Sequence, residues 1–165
     1  MHEQAYEWIA QHATEEPVSV LDLGGRDING SPKDLFPKAD PYVVLDIADG
    51  DGVDVVADAA TWVPDRQFDV VLSAECFEHT DSWPAICITA FAACRPGGWF
   101  IATMAGPGRP PHSAVDGGWW LYPGEHYANV QPGRLRLVLE AAGFVGVVVD
   151  QQPSPADVRA VARRP

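Results

Sequence analysis

Short apolar runs recur along the chain, and each of the first three carries an aspartate at or near its end. Four such runs in the first half predict buried strands: residues 18–23, 42–46, 53–58 and 68–73. The first three carry Asp22, Asp46 and Asp58. Because parallel strands end at one edge of a sheet, we expect these carboxylates to share one rim.

The segments that predict helices lie before, between and after these runs. One face of residues 2–13 is apolar at helical spacing, which predicts an amphipathic helix. Ser31 as a cap and Pro32 at the first helical position predict a second, short helix. Two longer helices are predicted over residues 83–94 and 132–142, the latter ended by a glycine.

Three more strands complete the pattern, at residues 99–104, 144–151 and 158–161, and we expect the last two to pair antiparallel. Strands that alternate with helices predict an α/β fold: a doubly wound, mostly parallel sheet with an antiparallel C-terminal strand pair. A chain of 165 residues fits one domain, residues 1–165. Residues 105–124 hold four prolines and five glycines without periodicity, which is typical of a lid or a binding loop.

Charge and composition limit the kinds of binding partner that this chain can have. Acidic residues outnumber basic ones by 23 to 11, and a net charge of -12 repels phosphate backbones, which argues against nucleic acid. No apolar run approaches the ~18 residues of a membrane span, and there is no charged-then-apolar leader, so we expect a soluble, cytoplasmic protein. Cys76, Cys87 and Cys94 have no metal-ligand spacing and predict reduced thiols, with no metal site.

The first strand stops at two glycines, Gly24 and Gly25. Glycine adopts backbone angles forbidden to other residues and has no Cβ, so main-chain N–H groups can approach a ligand closely. A strand, a glycine turn and a helix in this order indicate a nucleotide-type cofactor site.

Six segments in order resemble class I S-adenosylmethionine-dependent methyltransferases, most of all the small type 11 domains. They are residues 21–25 (Leu-Asp-Leu-Gly-Gly), 45–46 (Leu-Asp), 57–59 (Ala-Asp-Ala), 68–79 with its Glu-His ending, 95–98 (Arg-Pro-Gly-Gly) and 124–144. The sequence departs from the family in the first segment, where the usual second and third glycines fall at Arg26 and Ile28.

The resemblance implies S-adenosyl-L-methionine as the cofactor. It implies that the glycine turn surrounds the methionine part, that Asp46 accepts both ribose hydroxyls, and that Asp58 contacts the adenine amino group. Asp22 has a second interpretation, in which it accepts N–H groups of the turn instead of contacting the cofactor. The implied cofactor-binding residues are Asp22, Gly24, Gly25, Asp46, Ile47, Asp58, Ala59, Ser73, Ala74 and Glu75.

Methyl transfer from a sulfonium needs positioning more than a catalytic triad, because alignment alone can supply about 7–11 kcal/mol. An acceptor that carries a proton also needs a base, and histidine suits neutral pH. His79 and His126 are the two candidates, although His79 also fits a structural role at a helix start. Four aromatic residues predict either an aromatic substrate pocket or anchors for the loop: Trp119, Trp120, Tyr122 and Tyr127.

The sequence therefore predicts a methyltransferase that acts on a small molecule or a protein side chain, with a small molecule favoured. One alternative is a catalytically silent domain that binds cofactor or a partner protein, and a second copy of the chain completing an open pocket is related to it. A nicotinamide-dependent oxidoreductase would also use a glycine turn and Asp46. The lack of Gly-x-Gly-x-x-Gly and the presence of Asp58 disfavour that class.

Overall fold

Seven strands and three α-helices make up the computed structural model, which describes all of residues 1–165. The strands are β1 (Val18–Leu23), β2 (Ala39–Asp46), β3 (Val55–Val56), β4 (Phe68–Ala74), β5 (Cys94–Ala105), β6 (Val145–Gln152) and β7 (Asp157–Arg163). The helices are α1 (Glu3–Ala10), α2 (Trp83–Ala93) and α3 (Pro132–Ala142), and single 3-10 turns lie at Lys33–Leu35 and Phe77–His79.

All seven strands belong to one sheet, in the order β3-β2-β1-β4-β5-β7-β6. The first five pair parallel with one another, and β7 pairs antiparallel with both β5 and β6. The predicted doubly wound, mostly parallel sheet with an antiparallel C-terminal pair is confirmed. The strand order reverses between β1 and β4, and crevices for ligands form at such a point, beyond the carboxyl ends of the strands.

Two apolar cores hold the helices against opposite faces of the sheet. Leu21 and Leu23 of β1 pack in the larger core, which includes residues of α2 and α3. Val20 lies on the other face, with Trp8 and Ile9 of α1. Alternation of the β1 side chains between faces follows from the two-residue period of a strand, and it puts helices on both sides as predicted.

Two predicted elements are longer in the sequence pattern than in the structure. Helix α1 ends at Ala10 instead of residue 13; Ile9 is its last buried residue, and Ala13 packs against the same core from beyond the end of the helix. Strand β3 has two residues instead of six. The Asp54 carboxylate accepts the backbone N–H of Val44 at 2.8 Å, so a side chain takes up a β2 donor just before β3 begins.

Two local predictions also differ in detail. The helix expected at Ser31 is a single 3-10 turn preceded by Pro32, and the Ser31 hydroxyl accepts the Lys33 N–H at 3.2 Å. Strand β5 begins at Cys94, so that residues 95–98, which the predictions place between the helix ending at residue 94 and the strand starting at residue 99, form an irregular start to the strand with a shift in its pairing to β4.

The end of α3 gives a test of backbone strain. Gly143 has φ +111° and donates its N–H to the Glu140 carbonyl at 3.1 Å, and an added Cβ would lie 2.8 Å from Cζ of Phe91. Gly143→Ala should therefore lower the free energy of unfolding by about 1–3 kcal/mol in urea denaturation. Gly133→Ala is the matched control in the same helix, where an added Cβ meets nothing within 4 Å. Equal stability of the Gly143→Ala variant and the native chain would contradict the prediction that a side chain at position 143 is strained.

Candidate active site

The glycine turn after β1 is bonded to β2. Gly24 and Gly25 both donate their N–H groups to the Leu45 carbonyl, at 2.7 and 3.3 Å. Gly24 has φ +74°, and an added Cβ would lie 2.3 Å from Sγ of Cys76; one on Gly25 would lie 2.5 Å from Cγ of Asp22. The two glycines thus supply room for neighbouring side chains, whereas the sequence led us to expect N–H groups facing a ligand.

A cavity of about 240 Å³, called the first cavity, opens at this rim of the sheet. Nine of the ten predicted cofactor-binding residues line it: Asp22, Gly24, Gly25, Asp46, Ile47, Asp58, Ala59, Ala74 and Glu75. Ser73 is the exception, because its buried hydroxyl donates to the Leu23 carbonyl at 2.8 Å and joins β4 to the end of β1. The convergence of three strand-end aspartates on one space is thus present.

Backbone groups hold Asp46 and Asp58 at the ends of their strands. One Asp46 oxygen accepts the Arg26 N–H at 3.2 Å and the other accepts the Ala48 N–H at 2.9 Å. Asp58 accepts the Ala60 N–H at 2.9 Å. An ionised carboxylate has about four lone-pair sites, so both side chains keep capacity for hydroxyl or amino donors of a ligand.

Asp22 is fully buried beneath the turn. Its Oδ2 accepts the Tyr42 hydroxyl at 2.9 Å, and its Oδ1 has no partner in the protein. Burial is the main reason that the pKa of Asp22 rises to about 7; the Tyr42 hydrogen bond opposes the rise and the nearby Asp46 charge adds to it. The turn N–H groups bond to Leu45 instead, which leaves Asp22 with an acceptor for a donor from the cavity.

Glu75, just past β4, belongs to a cluster of four charged side chains. His2 Nε2 lies 3.4 Å from Glu75 Oε2 and 3.0 Å from Asp157 Oδ2, and Arg109 pairs with both carboxylates. Burial raises the pKa of Glu75, but the hydrogen bond and charge of His2 and the charge of Arg109 outweigh it, so that the net shift is downward. Glu75 also has φ +53°, an uncommon angle for a residue with a side chain. We expect Glu75 to be ionised and held in place.

A second cavity, also about 240 Å³, adjoins the first. The two share part of their walls: Met1, Ile28, Asn29, Glu75 and His79. The remaining walls of the second cavity are His2, Arg109, His112, Ser113, Gly117 and Trp119. A ligand in either cavity would therefore reach Glu75 and His79.

The two candidate histidines differ sharply in position. Burial, together with the charge of His112, lowers the pKa of His79 to about 4, and its Nδ1 has no partner. Its ring packs edge-to-face against His112 and Tyr127, with centroids 4.9 and 5.6 Å away. His126 is exposed and lines neither cavity. His79 is therefore a neutral imidazole where a ligand would bind, and His126 is not placed there.

Several residues of the two cavities were not predicted from the sequence. Arg26 stands at a glycine position of the family and donates from Nη2 to the Ala114 carbonyl at 3.0 Å. His2, Arg109 and His112 come from the chain start and the Pro- and Gly-rich loop, and only the tertiary fold brings them to Glu75. Arginine in place of the expected glycine at position 26 was the sole sequence signal for any of these residues, and it did not reveal that Arg26 would bond to Ala114.

Two groups of side chains bring atoms that can coordinate a metal ion within 4.8 Å of one another. They are Glu78, His79 and His112, and His2, Glu75 and Asp157. In the second group Arg109 already pairs with both carboxylates. The first combines two imidazoles with a carboxylate, and His112 Nε2 lies 3.7 Å from Glu78 Oε1. These groups join residues far apart in sequence, so no ligand spacing was visible there.

Comparison with known proteins identifies the family. A family model described as a methyltransferase domain matches residues 1–149, and the chain belongs to this methyltransferase family. No protein of curated function shows a significant sequence match. None of the helices is long and apolar enough to cross a membrane.

Solved structures share the fold at low sequence identity. A Burkholderia thailandensis 1,6-didemethyltoxoflavin-N1-methyltransferase with bound S-adenosylhomocysteine is 18% identical, with a TM-score of 0.69 over 98% of this chain and 77% of that one. A Haemonchus contortus phosphoethanolamine N-methyltransferase with S-adenosyl-L-methionine is 13% identical, with a TM-score of 0.72 over 98% and 52%. An S-adenosylmethionine-dependent methyltransferase from Mesorhizobium loti is 18% identical, with a TM-score of 0.67 over 96% and 98%. The methyltransferase fold expected from the resemblance is confirmed.

Glu78, buried behind His79, gives a pH-dependent prediction. Its Oε1 accepts the Ala105 N–H at 3.0 Å and its Oε2 has no partner. Burial, and next the charge of Glu75, raise the pKa of Glu78 to about 8. The folded protein therefore holds a proton that the unfolded chain releases above its ordinary pKa near 4.5, so Glu78 costs stability as pH rises from there to about 8.

Glu78→Gln mimics the protonated side chain and should remove this cost. In urea denaturation, the difference in unfolding free energy between the variant and the native chain should grow in favour of the variant by more than about 1 kcal/mol between pH 5 and pH 8, then level off. Glu140→Gln, an exposed change in α3, is the control. A difference independent of pH would show that Glu78 is ionised in the fold.

Proposed function

We propose that residues 1–165 form a single S-adenosylmethionine-dependent methyltransferase domain that acts on a small molecule. One observation carries the proposal: strand-end carboxylates, a glycine turn and the segment after β4 line a single cavity at the point where the strand order reverses. The family match to a methyltransferase domain supports it independently.

The residues of the first cavity fit each part of the cofactor. Asp46 has acceptor capacity for the two ribose hydroxyls, and Asp58 with the neighbouring Ala59 suits the adenine ring. The unpartnered oxygens of Asp22 and Glu75 are acceptors for the ammonium group of the methionine part. Buried acceptors without partners are rare in native proteins, so their presence here favours a donor-bearing ligand.

When bound, the cofactor supplies a sulfonium that makes its methyl carbon electrophilic. Glu75, on the wall shared by the two cavities, has one oxygen paired with His2 and Arg109, and its other buried oxygen is free to accept a donor of the cofactor. His79 is neutral because burial lowers its pKa to about 4. Its imidazole is therefore free to take up a proton from the hydroxyl or amine of the substrate that receives the methyl group.

The neighbouring structures favour a small molecule as acceptor. One contains bound 1,6-didemethyltoxoflavin, and another contains phosphomonomethylethanolamine, each with S-adenosylhomocysteine. A cavity of about 240 Å³ beside the first one suits a ligand of this size class.

The family match gives no support to a nicotinamide-dependent oxidoreductase. A catalytically silent domain would bind the cofactor without turnover, and incubation with a labelled methyl donor and a cell extract separates the two, since a silent domain labels nothing.

Asp46→Ala tests the cofactor site. Because the carboxylate is expected to accept hydroxyl donors in a partly buried position, its loss should weaken S-adenosylhomocysteine binding by about 10- to 100-fold in isothermal titration calorimetry. Asp51→Asn, an exposed aspartate of the same loop that lines neither cavity, is the control and should bind normally. Unaltered binding by Asp46→Ala would count against the site.

His79→Gln tests the base. The variant should keep its affinity for S-adenosylhomocysteine and lose about 10²- to 10⁴-fold in turnover of labelled methyl groups, because it cannot take up the acceptor proton. The exposed His126→Gln variant should turn over normally. Since the pKa of His79 is lowered to about 4, the native rate should persist as pH falls below the usual histidine range and decline only toward pH 4. A rate that halves near pH 6.5 would assign the base to another group.

A further inference from the structure

Three charged side chains line the second cavity, His2, Glu75 and Arg109. The fully buried Asp157 pairs with His2 and Arg109, and the Met1 ammonium at the same wall donates to the Asn29 carbonyl. His2 lies 3.0 Å from Asp157 and 3.4 Å from Glu75, while Arg109 pairs with the same two carboxylates. Burial lowers the pKa of His2, but the hydrogen bonds that His2 donates to Asp157 and Glu75 outweigh it and raise the pKa to about 9, so the cluster holds two cations and two anions at neutral pH. A charged ligand would have to break these pairs and leave a buried charge without a partner, which is costly.

The wall of the second cavity includes two imidazole rings, and a third ring, Tyr127, packs against them without lining the cavity. His79 and His112 pack edge-to-face 4.9 Å apart, and Tyr127 packs against both, at 5.6 and 5.1 Å. Burial is the main cause that lowers the pKa of both histidines, so these imidazoles are neutral at pH 7. Flat, neutral rings whose faces and edges line a cavity favour a ligand that is itself aromatic.

Trp119 adds a large apolar surface at the outer edge. Its side chain lines the second cavity, yet the residue is 74% exposed. Trp120 beside it is 86% exposed and lines neither cavity. Of the aromatic residues in this loop, Trp119 is thus placed to cover a ligand that extends out of the cavity.

From these observations we infer that the second cavity binds an uncharged aromatic or heteroaromatic acceptor, whose O–H or N–H group lies at the wall shared with the first cavity, beside His79. The inference rests on the proposed function of the first cavity. In the reaction, the acceptor oxygen or nitrogen forms a bond to the methyl carbon as the bond from that carbon to sulfur breaks. The electron pair goes to sulfur, giving S-adenosylhomocysteine, and the acceptor proton goes to the His79 imidazole.

Three naphthalene compounds of matched shape test the charge preference. They are 2-naphthol, which is uncharged at pH 7, the anion 2-naphthoate and the cation 2-naphthylmethylammonium. Titrated into protein saturated with S-adenosylhomocysteine, 2-naphthol should bind at least about tenfold more tightly than either ion, since only the ions disturb the paired charges. Equal or tighter binding of an ion, or no binding of any of the three, would overturn the inference.

A pair of tryptophan variants locates the bound ring. Trp119→Ala should weaken 2-naphthol binding severalfold to about tenfold, whereas Trp120→Ala should leave it unchanged. An equal effect of both variants, or of neither, would place the ligand elsewhere and refute the inference. The naphthalene titrations are repeated without S-adenosylhomocysteine. Binding of S-adenosylhomocysteine alone is measured separately. Its failure to bind would overturn the proposed function, whereas the naphthalene series alone judges the chemistry of the second cavity.

Discussion

The hydrogen bond from Gly24 N–H to the Leu45 carbonyl, 2.7 Å long, is the contact on which the geometry of the rim depends. It continues the pairing of β1 and β2 one residue past Leu23, the last residue of β1, whose partner in the register is Leu45. Asp46 then accepts the Arg26 N–H, so the turn is bonded to the end of β2 on both sides of Gly25. The positions of the strand-end carboxylates relative to the glycine turn therefore follow from strand register.

The sheet and its rim were predictable because their determinants are local. An apolar run with an aspartate near its end specifies a strand and the rim on which its side chain lies, and this held for Asp22, Asp46 and Asp58. Strand β3 was predicted too long because the Asp54 side chain takes a backbone donor of β2. Ser73 was expected at the ligand, but its hydroxyl bonds to the Leu23 carbonyl. A polar residue at a strand end has both options, and periodicity alone does not choose between them.

The second cavity was beyond the reach of the sequence because its residues have no common period or spacing. His2, Glu75, Arg109 and Asp157 come from the chain start, the end of β4, the Pro- and Gly-rich loop and the start of β7. Their mutual neutralisation needs all four in place, since removal of any one leaves a buried charge unpaired. The aromatic residues of the loop predicted either a substrate pocket or anchors for the loop. In the structure Trp119 lines the second cavity and Trp120 lies outside it.

Arginine at position 26, where the resemblance led us to expect glycine, joins two segments of the first cavity's wall. The Arg26 guanidinium reaches the Ala114 carbonyl, and both residues line the first cavity, so the loop after β5 is tied to the turn after β1 by a side chain that the usual glycine lacks. Any motion that separates those two segments must break this link. Two parts of the cavity wall that are 88 positions apart along the chain are therefore held together in space by a single hydrogen bond.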